Sequence, residues 1–172
     1  MRGLGVVAAA AALTACSSTN EAVNQALIEG AVGGIVATDC KIGRMTYWAA
    51  NATVPVYEIS FRIVMTNVSS NPVTLSGDNF ATTLDGTPIP PFNFSARDVG
   101  DADIWRTYDS LTIRPGEERS VALAYEISEP TYDSWYRSSR TVAVSFTCGN
   151  QRVTYTKNSR SDEITVSDIE TL

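Results

Sequence analysis

The sequence predicts an all-β protein: one antiparallel β-sandwich of seven or eight short strands, preceded by a signal peptide and a short, partly helical stalk. Three observations carry this. Apolar and polar residues alternate with period two along several segments after residue 40. Gly, Pro, Asn and Asp punctuate those segments at short intervals, and no helix-length apolar period interrupts them. The expected boundaries are 1–15 for a cleaved signal, 16–39 for the amino-terminal stalk, 40–157 for the sandwich and 158–172 for a polar tail.

The leader comes first. Residues 3–15 are Gly, Val, Ala, Leu and one Thr, with Arg2 the positive charge before them, and the chain turns polar at Ser17-Ser18-Thr19-Asn20. That layout is a secretory signal. At 1.5 Å per residue the run spans about 20 Å, short of the roughly 30 Å hydrocarbon core, which favours removal over a retained membrane helix.

The residues at the break, Leu13-Thr14-Ala15-Cys16, resemble the lipobox of bacterial lipoproteins: an aliphatic residue, two small residues and a cysteine. The resemblance covers about the first sixteen residues. It implies a diacylglyceryl thioether on Cys16, cleavage before it, and acylation of the new amino terminus. Two or more acyl chains, at about 0.8 kcal/mol per buried methylene, anchor stably where one does not. The implied partner is therefore a lipid bilayer, held through Cys16. An Asp after the lipidated cysteine would favour the inner membrane in that family; Ser17 stands there and points to the outer membrane.

In the stalk, Thr19 or Asn20 offers a helix cap, and Val23, Ala26, Leu27, Gly30, Ala31 and Gly34 recur at helical spacing. Gly30 and Gly34 form a GxxxG spacing that suits close helix approach. Three glycines within five residues equally suit a flexible stalk, which is the reading preferred here.

The strands follow. In "VYEISFRIVMTNV" Tyr57, Ile59, Phe61, Ile63 and Met65 alternate with Glu58, Ser60 and Arg62, the pattern of a half-buried strand. "SSNP" turns the chain into "VTLS" and "NFATTL", and Asp85-Gly86 turns it again. "SLTIR", a Pro115-Gly116 turn and the alternating "RSVALAYEI" come next. "TVAVSFTC" then places Val142, Val144, Phe146 and Cys148 on one face, with Gly149-Asn150 making a hairpin into "QRVTYTK". Longer loops are expected at 67–79, 86–109 and 128–140, where function tends to reside.

The order of "ISFRIVMTNVSSNPVTL" followed by "LTIRPGEERSVALAYEISE" resembles the small immunoglobulin-like domains, of the telokin-like class, carried by many bacterial lipoproteins. This second resemblance covers about residues 55–157. It implies an immunoglobulin-like sandwich and brings no catalytic residues with it.

Bulk chemistry narrows the function. The formal net charge is −6, a poor basis for binding nucleic acid or anionic lipid electrostatically. Histidine is absent, which removes the commonest general base and metal ligand. With Cys16 lipidated, Cys40 and Cys148 remain as an even pair in an oxidising compartment, where a disulfide is the default and two buried thiols the alternative. A bridge closing so long a loop would contribute about 4–5 kcal/mol.

Two clusters are candidate binding residues. "EPTYDSWYRSSR" concentrates Tyr132, Trp135 and Tyr136 among charges, the composition of a binding hot spot; rings folded over the end of the sandwich would look the same. Trp105 and Tyr108 lie near Asp98, Asp101 and Asp103, carboxylates that suit calcium by type but match no loop motif. No cofactor, metal or catalytic residue is expected. Asn51, Asn67 and Asn93 begin sequons and read as turn and strand chemistry. The expected function is a membrane-anchored envelope lipoprotein with a non-catalytic binding or structural domain, its partner an envelope protein or polysaccharide. The alternative is a small carbohydrate-active or calcium-dependent enzyme.

Overall fold

The computed structural model describes residues 30–47, 53–90, 93–99 and 105–172, and the side chain of Tyr47 is not described. The lipobox, Cys16, the signal, residues 16–29, Asn51, Asp101 and Asp103 lie outside the described residues.

Among the described residues thirteen strands, all paired antiparallel, run in order: β1 Ile35–Tyr47, β2 Val56–Asn67, β3 Val73–Leu75, β4 Phe80–Leu84, β5 Thr87–Ile89, β6 Asn93–Asp98, β7 Arg106–Thr107, β8 Leu111–Ile113, β9 Glu118–Glu126, β10 Thr141–Cys148, β11 Gln151–Asn158, β12 Ile164–Val166 and β13 Glu170–Thr171. One sheet has the order β1-β2-β9-β6-β7 and the other β12-β11-β10-β4-β5, with β13 also on β11; β3 and β8 form a separate ribbon. The all-β sandwich expected from the alternation is the fold.

The core lies between the two sheets because each strand turns its alternate apolar residues inward. Ile59, Phe61, Ile63, Met65, Val121, Leu123 and Tyr125 come from the first sheet, and Phe80, Val142, Val144, Phe146, Val153 and Tyr155 from the second; all are buried. Phe61 bridges the layers, its ring 6.1 Å from Phe80 and 5.7 Å from Tyr155, at tilted angles that suit aromatic pairs.

The predicted Asp85-Gly86 turn and the predicted Gly149-Asn150 hairpin both form as two-residue hairpin loops. Asp85 and Gly86 have φ of 51° and 80°, the left-handed pair that a tight β4–β5 turn requires. Gly149, at φ 61°, opens the β10–β11 turn, which pairs Cys148 with Gln151.

The ends of the domain differ from expectation. Residues 30–39 are not stalk: Val32 and Ile35 exchange backbone hydrogen bonds of 2.9 and 3.0 Å around a Gly33-Gly34 turn, and both are fully buried. Gly34 of the GxxxG pair thus serves a β-turn with Gly33. Residues 158–172 are not a free tail either, since β12 and β13 pair with β11 and Ile164 joins the core. The 86–109 loop contains β5, β6 and β7.

The expected disulfide is absent: Cys40 and Cys148 are separate buried thiols. Topology explains it. Cys40 lies beside Tyr155 and Lys157, which pair with Val144 and Val142 on β10. Cys148 is four to six residues further along that strand, about 13–20 Å away, against the roughly 7 Å that a bridge tolerates.

Candidate functional site

The outer face of the first sheet carries the residues of opposite parity to the core, and strand register arranges them in three rungs. Lys41, Arg62, Ala122, Ser95 and Thr107 stand side by side; then Gly43, Ser60, Ala124 and Asn93; then Met45, Glu58 and Glu126. Small residues fill the middle rung, so taller neighbours wall a shallow trough.

A β-bulge brings β1 into this arrangement. Its register shifts between Thr38 and Lys41, with Asp39 at φ 48°. The extra residue switches parity: Ile35 and Ala37 point inward before it, Cys40 and Ile42 after it.

Two hollows result. One of about 310 Å³ lies along β1, lined by Lys41, Arg44, Arg62, Lys157, Asp162 and Cys40 among others. A smaller one of about 130 Å³ is lined by Glu58, Arg62, Asn93, Ser95 and Trp105, and the two share Met45, Ser60 and Arg62. Arg62 is the pivot: its Nε donates to Ser60 Oγ at 3.3 Å, its Nη2 approaches Met45 Sδ at 3.9 Å, and its guanidinium lies 5.6 Å from the Trp105 ring. Arg97 lies 4.8 Å from the same ring, a distance at which cation–π attraction operates.

Glu58, 5% exposed, has its carboxyl pushed above the usual range by burial, with nearby Arg62 opposing. Burial also raises the Cys40 thiol, helped by Asp39, and the Cys148 thiol, so neither is an activated nucleophile.

The sequence-predicted aromatics separate into different roles. α1 (Glu129–Asp133) starts at Ser128, whose hydroxyl accepts from Thr131 N, and carries Pro130 in its first turn. Trp135 follows it and is 3% exposed, a core residue, so it offers no binding face. Tyr132 is half-buried against Tyr57, ring to ring at 5.0 Å, and Tyr57 donates to Glu129 at 2.9 Å. Tyr136 is 60% exposed. Arg44 lies 4.2 Å from the Tyr132 ring and 4.6 Å from that of Tyr136, and its Nη1 donates to Tyr132 O at 2.6 Å. The loop therefore folds its rings over the end of the sandwich and joins the larger hollow through Arg44. Trp105 borders the smaller hollow; Tyr108 packs on the core.

Asp98 pairs with Arg119, and no group of three or more metal-ligating side chains occurs among the described residues. Among them, no helix is long and apolar enough to cross a membrane. Sequence reasoning missed Arg44, Arg62, Lys41, Lys157 and Glu58. The available signal was a charge at alternate positions of otherwise apolar strands, and only the register shows which of them converge.

No protein-family model matches the sequence, and no curated protein does. Solved structures similar to this chain include an uncharacterised β-sandwich protein from Clostridium difficile, 15% identical with a TM-score of 0.47 over 84% of this chain and 97% of that one. A functionally unknown protein from Listeria monocytogenes is 12% identical with a TM-score of 0.40; the match covers 66% of each chain, just under two thirds of that protein's length. A protein from Archaeoglobus fulgidus is 13% identical with a TM-score of 0.34, over 77% of this chain and 95% of that one.

Proposed function

We propose that this chain is an envelope lipoprotein whose sandwich is a non-catalytic binding module, tethered through acyl chains on Cys16 to a bilayer, the outer membrane by the residue at position 17. The observation that carries the binding role is the continuous trough pivoted on Arg62, with apolar and aromatic walls and a few convergent polar groups, the usual make-up of a ligand site. The anchor rests on the Leu13-Thr14-Ala15-Cys16 resemblance. The partner is an envelope polysaccharide or protein. The enzymatic alternative draws less support: burial disfavours the thiolate of both described cysteines, and Asp98 is committed to Arg119.

The test has two arms. Intact-mass measurement of the protein from its own cells should show an acylated Cys16, and Cys16→Ser should move it to the aqueous fraction. An unmodified terminus on a water-extracted protein overturns the anchor. Full-length protein in neutral detergent should retain material from a cell-envelope extract, and Arg62→Gln should lose it while still giving a cooperative melt. Equal retention by wild type and variant overturns the trough as the binding face.

A further inference from the structure

We propose that the larger hollow is an oxyanion site, taking a carboxylate or phosphate group of the ligand. This rests on the reading of the sandwich as a binding module and names the chemistry that it recognises.

The hollow's charge runs against that of the chain. In a chain of net charge −6, one hollow of about 310 Å³ is lined by Lys41, Arg44, Arg62 and Lys157, with Asp162 the single carboxylate on its wall among the described residues. Like charges held around one concavity repel, and an anion seated among them relieves that repulsion.

Edge protection does not account for the cluster. β1 is the edge of its sheet, and charged residues on an edge strand discourage pairing with other chains. That covers Lys41 and Arg44. Arg62 comes from β2, an interior strand, and Lys157 from β11 in the opposite sheet, yet both face the same space.

Three of the cations are also held by groups that leave their charge in place. Lys157 Nζ donates to Ile42 O at 2.8 Å, Arg44 Nη1 to Tyr132 O, and Arg62 Nε to Ser60 Oγ. These partners are carbonyls and a hydroxyl, and the aromatic rings beside both arginines fix the guanidinium planes. An ammonium has three N–H donors and a guanidinium five, so each retains donors to offer an oxyanion. Carbonyls, a hydroxyl and aromatic rings thus orient these three cations, with the Glu58 carboxyl near Arg62.

The negative field of the whole chain sets the ligand's charge. It repels a polyanion at long range, whereas one oxyanion inside the hollow feels mainly Arg44, Arg62 and Lys157 around it. The site therefore suits a ligand with one or two charges, as a free acid or phosphate or as a lipid headgroup.

The test uses full-length protein in neutral detergent, observed by nuclear magnetic resonance. Inorganic phosphate and galacturonate should each shift the signals of Arg62, Arg44 and Lys157 saturably, beyond what chloride does at equal ionic strength. Lys157→Gln and Arg62→Gln should each weaken binding about ten-fold, the loss of one charge-assisted hydrogen bond, and Arg62→Lys should restore part of it. Vesicles of phosphatidylglycerol in phosphatidylcholine form a third arm. If soluble anions bind and vesicles do not, the source is a soluble acid; if vesicles alone bind, with the same sensitivity to both variants, it is a headgroup. Either result upholds the oxyanion site. Phosphate shifts no larger than chloride's with no vesicle binding, or binding indifferent to both variants, overturns it. Should that happen while envelope material is still retained through Arg62, the binding module stands and only the anionic chemistry falls. Should Arg62→Gln not fold, Lys157→Gln decides.

Discussion

The Cys148 thiol packs directly against Gly33. It donates to Gly33 O at 3.7 Å, and a Cβ built on Gly33 would lie 2.4 Å from the sulfur. Gly33 also has φ 57°, in the left-handed region, and its N–H donates to Gln151 at 2.9 Å. Two constraints thus demand glycine: backbone conformation and a close approach. Gly33→Ala should destabilise the domain by about 2–4 kcal/mol, the sum of left-handed strain and overpacking. Urea denaturation reads this directly. An unchanged midpoint would mean that the Val32–Ile35 turn is not docked.

The same contact bears on the cysteines. Their separation along β10 and β11 predicts that Cys40 and Cys148 remain thiols in the native protein. Alkylation after unfolding without reductant should label both, and added reductant should leave the melting temperature where it was. Native alkylation should be slow, because burial hides both thiols and raises their pKa. A mass two units lower with no labelling would contradict the register.

Asn67 begins a sequon, yet it is fully buried and its side chain makes four hydrogen bonds. Its Nδ2 donates to Asn71 O at 2.8 Å and Ile113 O at 2.9 Å, and its Oδ1 accepts from Ser69 N and Oγ. The side chain therefore ties β2 to the turn after it and to β8. Asn67→Ala should cost about 3 kcal/mol, since several buried partners lose their bonds together. A loss under about 1 kcal/mol by chemical denaturation would indicate that solvent replaces those bonds.

What was legible in the sequence follows from which patterns a strand shows along its own length. β2, with Val64 the one exception, β9 and β10 show the alternation along their length and were read correctly. β1 was missed because its bulge at Asp39 switches the inward set from odd to even positions, which erases period two. β6 turns only Phe94 and Ala96 inward, too little to stand out. β12 and β13 are two or three residues long and gain their order from β11. The trough was illegible for a related reason. Arg62, Lys157 and Arg44 lie far apart in sequence, and each reads locally as a solvated charge. Their convergence is a property of register between sheets.

Trp135 illustrates the limit of composition. Hot-spot enrichment describes an aromatic among charges, but a ring following a one-turn helix is as readily drawn into the core, where Trp135 sits with its carbonyl accepting from Ser159. Trp135→Ala should destabilise by about 3–5 kcal/mol, as for large core aromatics. Tyr136→Ala, at an exposed position, should change stability by less than about 0.5 kcal/mol. Thermal melts of the two variants side by side would reverse this ordering if Trp135 were exposed.

Glu58 predicts how stability depends on pH. Its folded carboxyl is raised by burial and pulled back by Arg62, so the native state holds this proton more tightly than the unfolded chain does. Below the ordinary carboxylate range the group is protonated in both states and its contribution is fully present. As pH rises through the folded value, the native state must ionise a buried acid, and that contribution is lost. Relative to wild type, Glu58→Gln should therefore lack this fall. Arg62→Gln should deepen it, because the charge that opposes the shift is gone. Urea denaturation from about pH 4 to about pH 8 brackets the change. If Glu58→Gln and wild type keep parallel profiles across that range, Glu58 titrates as a solvated carboxylate and the floor of the smaller hollow is open to water.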